Sequence, residues 1–420
     1  MNRATLRDNM SRTFGSLAGR NFRVFFIGQA VSQIGTWLQL IAQALLVLDL
    51  TNSGIALGLV TACQFMPILL LGSWAGVVVD RVDKRRLMLI TQTSMMLCAL
   101  VLGVLVIADR ATLPLIYVLA ALTGLGNTFD HPARRVLVTE LVPEDRMANA
   151  MSLTSSLMTG SRVIGPPIAA ALIATVGIGW CFIANGLSFF AVLIGLTRID
   201  LGGLRPVERA VRAKGQVREG WRYVWDDDDL RLTVIMMAVV ATFSYNWNVL
   251  LPLMAERTFH GNEGTYAFIT TVFGVGSLIG SLGVARRGAV DPGYLARCAI
   301  AFGSASLVIA VAPNPLIAAG AGAVAGGFGL SFLVGTTTCL QLRAQPTMRG
   351  RVMAVYTVLL FGSTPLGGPL MGWIAEVVGI RESIGLGAAA ALGSGLMGLV
   401  ALRRRTPVEA QCLRSEPLAS

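Results

Sequence analysis

The sequence predicts an all-α polytopic membrane protein, with twelve transmembrane helices in two pseudo-symmetric bundles of six. Three observations predict it. First, 54% of the 420 residues are hydrophobic and only 14% are charged, with a mean hydropathy of +0.67. Soluble domains carry about 25% charged residues. Second, the charges are sided. Of the 34 Lys and Arg, three (Arg110, Arg257 and Arg381) fall on one side of the predicted spans and Arg162 falls inside one; all the others fall on the opposite side. That asymmetry follows the positive-inside rule, so the net charge of +11 marks a cytoplasmic face and no nucleic-acid partner. It places both termini in the cytoplasm and the chain in the cell inner (cytoplasmic) membrane. Third, landmarks recur. Pro143, Arg146, Gly165 and Gly177 return as Pro346, Arg349, Gly367 and Gly379, an offset of about 200 residues that argues for internal duplication.

Residues 1–21 are polar and basic and read as a cytoplasmic arm. A span needs about 20 apolar residues. Twelve segments supply them: 23–48, 54–79, 87–108, 113–131, 148–175 and 179–198, then 230–255, 265–287, 295–312, 315–341, 350–376 and 383–403. The bundles therefore cover 22–198 and 230–403, joined by a basic cytoplasmic linker at 199–229 and followed by a tail at 404–420. The first apolar run is too long for a cleavable signal. In the linker, the aspartates at 226–229 suit a solvated turn that starts the seventh helix, with Asp229 as its N-cap, better than a metal site, because hard cations want ligands arranged around them. Six cysteines, five of them within apolar runs, form no C-x-x-C or His/Cys spacing. They read as small packing residues, with no disulfide framework, metal or cofactor expected.

Candidate functional residues lie where polar groups interrupt the apolar runs. Gln29, Ser32, Gln33, Thr36, Gln39 and Gln43 fall within an arc of roughly 120° on the first helix. Such a stripe is costly against lipid and reads as cavity lining, with hydrogen bonding between packed helices as the alternative. Trp37 lies beside it. The seventh helix carries Asn246 and Trp247 at comparable depth, so Gln33, Trp37, Gln39, Asn246 and Trp247, together with Arg162 of the fifth helix, are the six expected path residues. Gln64 and Asn185 are isolated polar residues, each read as a contact between helices. Arg162 sits near the bilayer midplane, about 21 Å into its helix at about 1.5 Å per residue. Two readings fit it: a structural donor shared among Gln33, Thr36 and backbone carbonyls, or a fixed positive charge facing an anionic part of the substrate.

Between the second and third apolar runs lies a short charged turn that cannot sit in hydrocarbon. In it, Gly76 permits close helix approach, and Asp80, Arg81, Lys84 and Arg85 follow. Their spacing, G-x-x-x-D-R-x-x-K-R, resembles the loop between the second and third helices of the major facilitator superfamily. The resemblance implies a cytoplasmic gate locked by charged contacts. Asp130, read at the cytoplasmic end of the fourth helix, is then a gate carboxylate paired with Arg81, Lys84 or Arg85, or alternatively a proton carrier. The second copy of the loop, near Gly280, has Val284 where Asp80 would lie, so the gate should be asymmetric. Ser161, Gly165, Pro166, Ala169 and Ala170 are similar to the fifth-helix motif of facilitator exporters, in which Pro166 permits a helix bend. With F-D-x-P-A-R-R around Asp130, the chain resembles the exporter branch that holds the enterobactin exporter and the macrolide efflux proteins.

That resemblance implies export, by alternating access, of a small amphipathic substrate such as a drug-like compound or a siderophore. Membrane lipids are its surroundings. No G-x-x-x-x-G-K-[ST] loop appears, so the chain is not an ATPase or other enzyme, and an ion gradient with the proton as coupling ion is the expected energy source. Two rival functions share these features: translocation of lipid or lysolipid, and a non-transporting membrane sensor or scaffold that uses the long linker.

Overall fold

A computed structural model describes residues 15–200, 202, 216–287 and 289–404. Among the described residues, twelve helices are long and apolar enough to cross a membrane. In the first half they are α1 (Arg20–Thr51), α2 (Gly54–Arg81), α3 (Lys84–Ile107), α4 (Leu113–Leu141), α5 (Met147–Val176) and α6 (Ile178–Thr197). A short helix from the linker, α7 (Gln216–Asp226), precedes the seventh span. That span is interrupted: α8 (Asp228–Val239) passes into a π-helical segment at Val240–Ser244, then α9 (Trp247–Leu253) and a second π-helical segment at Met254–Thr258. α10 (Glu263–Arg287), α11 (Pro292–Val311), α12 (Pro315–Arg343), α13 (Arg349–Val377) and α14 (Ile380–Arg403) complete the second half. Most of the predicted arm (1–14), the middle of the linker (203–215) and the tail from 405 lie outside the described residues.

Several spans begin where short polar side chains satisfy free helix-end amides. Ser53 accepts from the Ala56 N–H, Asp83 from Arg86, Asp291 from Tyr294 and Asn314 from Ile317. Their outer faces carry exposed apolar residues such as Leu70, Ile90 and Leu316, as a lipid-facing surface requires. Inner contacts use small residues: a Cβ at Gly280 would collide with the backbone of Gly327, so α10 and α12 touch main chain to main chain.

The duplication is visible in the packing. α1 lies on α6, α2 on α4, and α3 on both α4 and α6; in the second half the seventh span lies on α14, α10 on α12, and α11 on both α12 and α14. The halves meet through two equivalent pairs, α2 on α13 and α5 on α10.

Two expectations about elements need correction. α4 continues to Leu141, ten residues past its expected end at 131, because apolar content sets how much of a helix lies in lipid but not where the helix stops. The cap of the seventh span is Asp227, which accepts from the Asp229 and Leu230 N–H groups. Asp229 is instead ion-paired with Arg343, and Asp228 with Arg231. Three of the four aspartates are thus taken up by a cap and two ion pairs, and Asp226 is exposed. Among the described residues, no cluster of potential metal ligands occurs.

Candidate functional site

The polar stripe of α1 forms one wall of a cavity of about 210 Å³. Ser32, Gln33, Thr36, Gln39 and Gln43 line it from α1, and Thr61, Gln64 and Phe65 from α2. α4 supplies Thr123, Asn127, His131 and Arg134; α6 supplies Asn185 and Phe189. The second half contributes Asn248. The cavity is therefore built almost wholly within the first bundle, against the start of α9. Asn185 donates to Gln39 Oε1 at 2.6 Å, so this predicted contact between helices is at once part of the cavity wall.

Of the six expected path residues, Gln33 and Gln39 line this cavity. Asn246 is buried beside Gly367 and donates to the Thr242 carbonyl at 2.7 Å, satisfying an acceptor at the break in the seventh span. Trp247 is buried against Phe273 and Phe302, with ring centroids at 5.4 and 6.1 Å. The neighbouring Asn248 is the one turned to the cavity, since the interrupted helix resets which face is presented.

Arg162 and Trp37 form a pair of their own. The guanidinium lies 5.4 Å from the indole centroid, a cation–π contact. No hydrogen bond reaches Arg162 Nε among the described residues. The Arg162 backbone packs against Gly274 of α10, at the junction of the halves. Gly165 lies against Trp37, where any side chain would collide with the tryptophan Cβ. α5 runs unbroken through Pro166, which is buried.

The charged turn after α2 is tied to its own half. Asp83 caps α3, and Lys84 pairs with Glu140 at 3.7 Å. Arg85 donates to the Leu196 and Thr197 carbonyls at 2.6 and 2.9 Å, neutralising the negative end of α6. Gly76 is buried, Asp80 half-buried and Arg81 exposed. Asp130 does not join them. It lies about three turns before the end of α4, wholly buried, and pairs with Arg134 one turn along the same helix. Its other oxygen accepts from Gln92 Nε2 at 2.8 Å. The expected partners Arg81, Lys84 and Arg85 are replaced by Arg134 because α4 is longer than its apolar run.

At the opposite end of the molecule the halves are joined by polar contacts. Glu376 of α13 accepts from Ser53 Oγ at 2.9 Å and from the Ile55 N–H at 3.2 Å. Arg257 donates to Asn52 Oδ1 at 3.0 Å.

Twelve spans, a repeated packing order and a polar cavity inside one bundle match a transporter, and the profile of the transmembrane secretion effector family covers residues 11–417. The chain belongs to that family, within the major facilitator superfamily. It is a family of transporters and not of enzymes. This facilitator is 27% identical over 378 residues to the staphyloferrin A transporter of Staphylococcus aureus, covering 87% of this chain and 92% of that one. It is 28% identical to the multidrug efflux pump Tap of Mycolicibacterium fortuitum (88% and 91% covered), and 23% identical to macrolide efflux protein A of Streptococcus pyogenes (86% and 91%). Among solved structures, its fold is similar to a bacterial homologue of the human lysosomal transporter Spinster in an inward-facing, occupied conformation. There the TM-score is 0.70 at 15% identity, over 92% of this chain and 98% of that one.

Proposed function

We propose that this facilitator exports small amphipathic molecules across the inner membrane by alternating access, with the proton as coupling ion. The observation that carries the reading is the cavity: neutral hydrogen-bonding side chains interleaved with Leu57, Val60, Phe65 and Phe189 offer a surface suited to a molecule with polar and apolar parts. The relatives named above, a siderophore transporter and drug efflux pumps, support a siderophore or a drug-like compound as the substrate class.

Alternating access is supported by the way the halves meet. Equivalent pairs of spans face each other, and the polar contacts Ser53–Glu376 and Asn52–Arg257 gather at one end. Parting that end while closing the other would move the cavity's opening from one side to the other. In this reading the turn at 80–86 faces the cytoplasm, as its basic residues require, and 22–198 and 230–403 are the moving units.

The test is accumulation of fluorescent drug-like amphiphiles in cells lacking and cells overexpressing the protein, with and without a protonophore. Overexpression should lower accumulation several-fold, and the protonophore should restore it to the level of the deletion strain. Equal accumulation in all conditions would contradict export; export that ignores the protonophore would contradict the coupling ion.

A further inference from the structure

Arg134 borders two spaces, the main cavity and a niche of about 20 Å³ between α1, α4 and α5. That niche has room for one or two oxygen-sized atoms. Gln33 borders both spaces as well, and Gln29 borders the niche. Two buried donors of this niche, Arg134 Nε and Gln29 Nε2, have no acceptor among the described residues. Buried donors are costly unless an acceptor meets them, and a guanidinium favours carboxylate-like oxygens.

The negative charge nearby is unavailable to a ligand. Asp130 has no exposed surface, and its oxygens are taken by Arg134, by Gln92, and by Thr91 at 3.4 Å. Among the described residues, no Asp or Glu lines either space. An organic cation entering the cavity would therefore meet the Arg134 guanidinium and no lining carboxylate, whereas an anionic group reaching the niche would find two donors without an acceptor.

We propose that Arg134 anchors an anionic, oxygen-rich group of the substrate, with Asp130 as its positioning residue, so that the cavity selects anionic amphiphiles over cationic ones. The proposal rests on the reading of this cavity as the substrate site, and it favours siderophore-like acids over cationic drugs. Asp130, fixed through Gln92 on α3, holds one edge of the guanidinium and leaves Nε for the ligand.

The test uses the purified full-length protein and two probes with the same xanthene skeleton, the anion 5-carboxyfluorescein and the cation rhodamine 6G. The wild type should bind the anion at least about tenfold more tightly. Arg134→Gln should remove that preference, and Arg134→Lys should keep part of it by keeping the charge. Since Arg134→Gln alone strands a buried carboxylate, the double variant Asp130→Asn/Arg134→Gln removes both charges; it should fold and still lack the preference. Equal or tighter binding of the cation by the wild type, no binding of the anion, or a preference that survives in the double variant would each overturn the proposal. Transport into proteoliposomes separates it from the export reading. Arg134-dependent binding without transport would sink export and leave the site standing; transport of 5-carboxyfluorescein at an unchanged rate in both Arg134→Gln and the double variant would do the reverse.

Discussion

Glu376 belongs to the second half, yet its carboxylate serves the start of α2 in the first, accepting from a hydroxyl and from a backbone N–H that the helix cannot itself satisfy. A carboxylate at a helix N-terminus is favoured by the helix dipole. Glu376→Ala should therefore shift the balance of conformations toward parting at this end by about 1 kcal/mol, or about fivefold in population. Spin labels at Thr51 and Val378 would report a larger fraction of long distances; an unchanged distance distribution would mean the contact holds nothing. The Asp130–Arg134 pair predicts a different signature. Arg134→Gln alone should cost about 3–5 kcal/mol of stability because it leaves a buried charge unpaired. The double variant should recover most of that loss, as read by thermal melting in detergent. At this scale the sequence was half legible. Gln33 and Gln39 could be placed because one helical face collected six polar residues. Thr123, Asn127, His131 and Arg134 carry the same signal, at spacings of four, four and three on α4. Ending that helix at 131 hid the stripe and left Asp130 at a surface it does not occupy.

Among elements, the crossing of α2 and α13 sets how the halves fit. A Cβ at Gly58 would stand 2.6 Å from the Gly368 carbonyl oxygen, and one at Gly54 would stand 2.8 Å from that of Gly372. Near the middle, Phe65 and Phe361 stack with centroids 6.4 Å apart. Backbone contact of this kind tolerates no side chain. Gly58→Val should leave each bundle folded while preventing the halves from closing at the Glu376 end. Transport should fall at least about tenfold, and a cysteine introduced at Asn52 should label faster with a water-soluble thiol reagent. Normal transport with normal labelling would refute the role given to this crossing. The twelve spans were legible because a run of about 20 apolar residues has few alternatives to crossing a bilayer. The break in the seventh span was not, since π-helical segments follow from packing against α13 and α14 and leave no mark in composition. The break brings Asn248, in place of Asn246, to the cavity wall.

For the whole molecule, the duplicated order of packing was already written in the recurrence of Gly165 and Pro143 as Gly367 and Pro346, and the structure returns it as matching contacts in each half. The cavity breaks that symmetry: it draws on five spans of the first bundle and on Asn248 alone from the second. Duplication predicts two equivalent walls, and side-chain chemistry alone decides which wall is polar. Cargo should cross only when the two halves part at the Glu376 end. The measurement that tests this most directly is transport by a variant carrying Ser53→Cys and Glu376→Cys, bridged by a short reducible thiol crosslinker. The bridged protein should still bind 5-carboxyfluorescein but move none of it across a proteoliposome membrane, and reduction should restore movement; transport that continues unchanged while the bridge is intact would contradict the account.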